Sequence, residues 1–270
     1  MRRDLLLPFL LCFALQLGLS LHLQSANEKR NEPLFVVPSP EYVKYISGTF
    51  RPFLAHVFFM KGVLELPKNT SEKMEYLFEL FNAAVQLDPK LVTAVFMGGI
   101  VLPIRPGDYP RAIAFLEEAR RLSPHEWRIP YWIGFNYAQL ENYEKAVEYY
   151  RQASLFTGSP GFLKTNQLHL LGQSKNLENS IVQAQQLMES VDDEETRELV
   201  LERIAWMQQM LMLEQKVKEF RTRTGAWPTD LNELVSKGLI PALPEDKFGH
   251  GFYLEKNQDR PEEVHVKSLM

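Results

Sequence analysis

Residues 127–160, WRIPYWIGFNYAQLENYEKAVEYYRQASLFTGSP, read as two short helices joined by a tight turn. Gly134, Ala146 and Ala153 are small where the helices must approach, and Tyr137, Tyr143 and Tyr150 fill the space between them. The pattern recurs 34 residues earlier, where Ala112, Leu116 and Ala119 take the places of Ala146, Tyr150 and Ala153, and Tyr109 that of Tyr143. One repeat before that, at a step of 35, Phe81 and Ala84 stand for Leu116 and Ala119. Leu177, Ser180, Ala184 and Leu187 continue the series at 34, but the pattern is worn there and Leu171-Gly172 is out of phase with Gly134. A period of this size marks stacked helix pairs, each completing its core against its neighbours, with a degenerate last pair as a cap.

These positions resemble the tetratricopeptide repeat family over roughly residues 55 to 190, and the whole arrangement resembles bacterial membrane-anchored repeat proteins. The resemblance implies a mainly α fold, a right-handed helical solenoid whose first helices line a concave peptide-binding face. The side chains it places on that face are Arg128, Tyr131, Phe135 and Gln139 in the third repeat. Val92 and Val95 extend it in the second repeat, Thr165 and His169 in the fourth. It assigns Gly134, Ala112, Ala119, Ala146, Ala153 and Tyr150 to packing between helices. The basic-and-asparagine clamp with which some members hold a C-terminal carboxylate is absent, because Tyr131 and Phe135 occupy its place. The implied partner is a protein or peptide.

Ahead of the repeats, Arg2 and Arg3 precede an apolar run from Leu5 to Leu23 that holds no acidic or basic residue other than His22. A helix of that length spans about 28 Å, enough for a bilayer core. Small-x-small cleavage sites are weak, so an uncleaved signal anchor over residues 1–24 is the favoured reading and a removed signal the alternative. Arg2 and Arg3 then stay cytoplasmic, and the bulk of a single-pass inner-membrane protein lies outside, in the periplasm. Cleavage would leave it periplasmic or secreted. Residues 25–40 read as a linker, with Pro33 and Pro38 opposing helix.

The solenoid is expected over 41–191. In its first helix, FLAHVFFMKGVLEL is apolar nearly all round and predicts burial on two sides. A capping helix follows over 192–224, opened by Asp192-Asp193-Glu194-Glu195 and closed by Gly225. It carries two apolar stripes, one through Trp206, Met210, Leu213, Val217 and Phe220, the other through Val200, Ile204, Met207 and Leu211. Residues 225–270 then form a small appendage: a short helix ending before Gly238, and a β-hairpin from Gly251–Glu255 and Glu263–Lys267. Phe220, Thr224-Gly225, Trp227-Pro228, Leu231, Leu234, Leu243-Pro244-Glu245-Asp246, Phe248-Gly249 and Phe252-Tyr253 resemble the C-terminal part of the major pseudopilin of type II secretion. The N-terminus lacks the cleavable glycine and following glutamate of that family, so the tail reads as a shared structural module.

The chemistry is sparse. Cys12 is the one cysteine and the six histidines are scattered, so neither a disulfide nor a metal-ligand spacing is present, and no cofactor is expected. His125-Glu126 has no nucleophile at a motif spacing. Glu245, Asp246 and Asp259 form no alternating calcium loop and read as a solvated turn. A net charge of −4 argues against nucleic acid. The expectation is a non-enzymatic, membrane-tethered scaffold for protein partners in envelope assembly, pilus or secretion machinery. The alternatives are a structural subunit of a pilus-like or type II apparatus, and an envelope enzyme with an unrecognised site.

Overall fold

The computed structural model describes residues 37–66, 74–191, 193–256 and 264–269. The Leu5–Leu23 run and Asp259 lie outside them. Among the described residues, no helix is long and apolar enough to cross a membrane. The chain divides into two compact units, up to Leu87 and from Asp88 onward.

The first unit holds α1 (Pro40–Ser47), α2 (Arg51–Glu65) and α3 (Met74–Leu87), with a 3-10 turn between α1 and α2. Ser39 opens α1 by accepting the Tyr42 amide. Helix α3 buries most of its length, from Tyr76 to Leu87. Helix α2 corrects the expectation of burial on two sides. Only Ala55 and Gly62 are buried, and the ring of Phe81 on α3 fills the space a Gly62 side chain would need. Its opposite side carries exposed Phe53, Val57, Met60 and Leu64. Its main partner, α3, covers one side of a helix that is apolar nearly all round.

In the second unit each helix packs mainly on its sequence neighbours, the contact pattern of stacked pairs. The elements are α4 (Val92–Phe96), α5 (Tyr109–Leu122), α6 (Arg128–Gln139), α7 (Tyr143–Ser154), α8 (Phe162–Leu171) and α9 (Leu177–Glu189). Helix α4 runs on into a π turn, Met97–Val101. That wider turn lets both Gly98 and Gly99 lie under α5, against Phe115 and Leu116. The repeat also shows in the caps: Asn142 and Asn176 each accept the amide three residues on and open α7 and α9.

The long helix α10 (Glu194–Thr224) starts where Asp193 accepts the Thr196 amide at 2.7 Å. Glu194 and Glu195 in its first turn and Arg221 and Arg223 in its last suit the helix dipole. Gly225 ends it in the left-handed region at φ 80°, which a glycine adopts without a steric penalty. Both expected stripes face inward, and only Leu211 is less than fully buried.

After α11 (Asn232–Ser236), strands β1 (Phe252–Lys256) and β2 (Val264–Ser268) pair antiparallel, with Leu254 opposite Val266. Each strand lies one residue beyond the expected range. Val264 and Val266 join one apolar cluster with Trp206, Met210, Leu213 and Val217 of α10. The appendage therefore shares its core with the long helix.

Candidate functional site

Helix α6 positions the third-repeat candidates. Gly134 allows α6 and α7 to touch: a methyl group there would lie 2.5 Å from the Tyr150 ring and 2.9 Å from the Ala146 carbonyl oxygen. Ala112, Ala119, Ala146 and Ala153 are buried, and so is Tyr150. Asn136 lies fully buried, its amide donating to the carbonyls of Gly99 and Trp132, both at 2.9 Å. This ties α6 to the π turn of the preceding pair. The sequence signal was a lone polar residue among apolar ones.

Arg128 and Gln139, the first and last residues of α6, are exposed, while Tyr131 and Phe135 between them are half-buried. Arg128 is gathered onto Glu126 by two contacts of 2.6 and 2.7 Å. That hydrogen bond pulls the Glu126 carboxyl below its ordinary pKa and lifts the Arg128 guanidinium above its own. Tyr131 has a packing role, with its ring 5.1 Å from Tyr150 and 5.8 Å from Phe162, close to Trp127 as well. Val95 does not extend the face: it is 1% exposed. With Gly99 and Leu102 it forms an i, i+4, i+7 stripe of buried residues, the inward side of its helix.

In the fourth repeat Thr165 and His169 are exposed. His169 opens onto a cavity of about 410 Å³, shared with Tyr143, Gln173, Tyr253 and Ser268. The structure thus joins one residue expected on the repeat face to strand residues more than 80 positions on. Burial, then the nearby Arg203 cation, push the His169 pKa down, so the ring is neutral around neutral pH. Gly172 does not face its own partner helix. A side chain there would strike Trp206 of α10, which is why the glycine fell out of phase.

Asp246 corrects the solvated-turn reading. Its carboxylate accepts from Trp206 Nε1 at 2.8 Å, Ser268 Oγ at 2.6 Å, and the amides of Phe248 and Gly251, each at 3.2 Å. Burial alone would raise its pKa; the four donors outweigh that and hold it below the ordinary aspartate value. Glu214 of α10 is likewise buried, accepting the Val266 amide and His265 Nδ1, each at 3.2 Å. Arg203, 8% exposed, lies over the rings of Trp206 and Phe248 at 4.8 and 3.9 Å. The sequence carries no spacing signal for these contacts, whose partners lie 40 to 52 residues apart for Asp246 with Trp206 and Glu214 with Val266.

Among the described residues, no group of three or more His, Cys, Asp or Glu side chains could hold a metal. What the described surface offers around these candidates is aromatic edges, neutral hydrogen-bonding groups and the open cavity beside His169. The family description "tetratricopeptide repeat" matches residues 130–154, from the first turn of α6 to the last residue of α7. No curated protein matches the chain.

Proposed function

We propose, from a tetratricopeptide match seated on the α6–α7 pair, that the chain is a non-enzymatic scaffold tethered to the inner membrane by residues 1–24. Such repeats generally mediate protein–protein interaction, and this helical array has the same kind of surface to offer. The partner is a protein or peptide lying along Arg128, Phe135, Gln139, Thr165 and His169, with a side chain in the cavity beside Tyr143 and Tyr253. The body faces the periplasm and serves envelope assembly, pilus or secretion machinery.

The observation that carries the reading is the half-buried Phe135 between exposed Arg128 and Gln139 on a helix whose other side is fully packed. Aromatic side chains rooted in a rigid helix are favoured interface anchors.

Site-specific photocrosslinking in intact cells tests it. A photoreactive phenylalanine at Phe135 should give a discrete protein adduct, reduced by Gln139→Glu with His169→Ala. The same probe at Glu148, on the exposed side of α7, should not give it. Identical adducts from both positions would overturn the reading. Sequencing the mature N-terminus separates tether from pilus-like subunit: a processed, methylated residue behind a short leader would replace the scaffold by a subunit.

A further inference from the structure

Strand β2 lies along α10, and β1 lies on its far side. In an antiparallel pair, residues that exchange main-chain hydrogen bonds alternate with residues whose N–H and C=O point away from the partner strand. The Leu269 amide donates to the Gly251 carbonyl at 3.0 Å, and the Val266 amide turns away from β1 to Glu214 at 3.2 Å. With Leu254 opposite Val266, the ladder bonds therefore fall on Tyr253–Lys267 and Glu255–His265. The N–H and C=O groups of Phe252 and Leu254 point off the outer side of β1. Among the described residues, no group bonds to them there. Such an edge is a template for another strand, and Phe252–Lys256 holds no proline to block it.

A pocket stands beside the edge. Side chains alternate along a strand, so Tyr253 and Leu254 take opposite faces of β1. Tyr253 lines the cavity of about 410 Å³ together with Tyr143, His169, Gln173 and Ser268. An antiparallel strand that exchanges both main-chain bonds with Leu254 places its next residue opposite Tyr253, on the cavity side. That is a position where facing side chains come closest. Added strands draw affinity from main-chain bonds and specificity from pockets for alternate side chains. With His169 neutral, no residue lining the cavity carries a charge. A charged side chain would lose its water there without a partner, whereas tyrosine or glutamine would find hydrogen bonds.

The same chemistry disfavours a second copy. Two β1 strands paired about Leu254 would each set Glu255 opposite Tyr253 of the other. Glu255 already acts against charge on the Tyr143 and Tyr253 phenols. Lys267, across the ladder from Tyr253, is drawn to the Gln173 carbonyl at 3.0 Å. A five-residue edge is also slight against the roughly 800 Å² per partner of a stable interface.

We propose that β1 is completed by an extended segment of a partner protein, which adds antiparallel at Phe252 and Leu254 as a third strand and turns an uncharged hydrogen-bonding side chain into the cavity beside Tyr253. This rests on the reading above that the cavity takes a partner side chain.

Hydrogen exchange on the full chain in detergent micelles tests it. The probe is a set of peptides selected on that chain from a library of short threonine-rich strands randomised at alternate positions. Selected peptides should share tyrosine or glutamine at one position and slow exchange of the Leu254 amide about tenfold or more. Leu254→Pro removes the outward amide and spares the ladder bonds, so it should weaken binding about tenfold. Leu254→Ala keeps the amide and should weaken binding far less, with circular dichroism and exchange at Tyr253 showing that both variants fold. Binding that leaves Leu254 unprotected, or a selection that yields no binder, overturns the proposal. Protection of Leu254 that rises with protein concentration in the absence of peptide shows a second copy on the edge and also overturns it. The Phe135 adduct without protection at Leu254 removes the third strand and leaves the helix-face reading standing. Protection at Leu254 without that adduct supports the third strand and removes the helix-face reading; neither result removes both.

Discussion

Replacing Gly134 by alanine should destabilise the protein, although the same change in an open helix position does the opposite. Alanine is favoured over glycine in a helix interior by about 1 kcal/mol. At Gly134 the added methyl would stand 2.5 and 2.7 Å from Tyr150 ring carbons and 2.9 Å from the Ala146 carbonyl oxygen. The ring is held by Tyr131, and the carbonyl belongs to the backbone of α7, so neither swings aside cheaply. Helices α6 and α7 must separate, an overpacking cost of about 1–3 kcal/mol. The steric cost meets the propensity gain, and the balance falls on the unfavourable side by up to about 2 kcal/mol, or some 2–4 °C in Tm per kcal/mol for a chain of this size. Gly161→Ala is the control, with no atom within 4 Å of the new methyl, and it should be neutral or stabilising by up to about 1 kcal/mol. Urea denaturation with equal m-values for the three proteins checks the pair. A Gly134→Ala variant as stable as Gly161→Ala would refute the packing of α6 on α7 described above.

Three further outcomes follow from the polar contacts. Asp246→Asn turns an amide donor toward groups that are themselves donors, costing about 1–3 kcal/mol for each one left without an acceptor; limited proteolysis should release the β1–β2 pair first. Because the Asp246 carboxyl is held below its ordinary 3.8, its contribution is present above that pH and lost as pH falls through the folded value. Denaturant midpoints from pH 5 downward should therefore drop less in the asparagine variant. Burial foremost raises both the Tyr149 and the Tyr150 phenol, and Tyr149 also donates to Glu117. Their contribution is full below the ordinary value of 10.0 and lost as pH rises toward the folded values, so alkaline spectrophotometric titration should show two phenols that ionise only with unfolding. Glu214→Ala should leave the Val266 amide unpaired and speed its hydrogen exchange by roughly 10- to 100-fold, at about 1–3 kcal/mol.

The repeat architecture could be read in advance because a helix contact leaves its record at a fixed spacing. Gly134 with Ala146 and Tyr150 is one such contact, and the caps Asn142 and Asn176 keep the same 34-residue step. Val95 escaped the reading because alignment across repeats sets position along a helix better than rotation around it. The π turn after Phe96 makes the second repeat a poor template for either. Tyr131 was expected at the surface, yet an aromatic residue on a repeat edge can serve a ring stack and a groove at once. Asp246 and Glu214 could not be read, since an isolated carboxylate looks the same in a turn whether water or an indole stands opposite. The exposed side of α2 was misjudged for a related reason: hydrophobicity records that a surface is to be covered and is silent on whether protein or lipid covers it.

The bond from Lys267 Nζ to the Gln173 carbonyl closes a span of 94 residues at 3.0 Å. Most contacts between stacked pairs form within one repeat and can appear as the chain leaves the ribosome. The ends of α8 and α10 cannot complete their surroundings until Val264, Val266 and Lys267 have been made. At about 5–20 residues per second, that leaves an interval of roughly 3–12 s in which the indole of Trp206 and the apolar edge of α10 wait uncovered. Strands that look peripheral in the folded structure thus complete the surroundings of the long helix only after the repeat array has been made. A nascent chain stalled before Val264 should be the form that chaperones and proteases find.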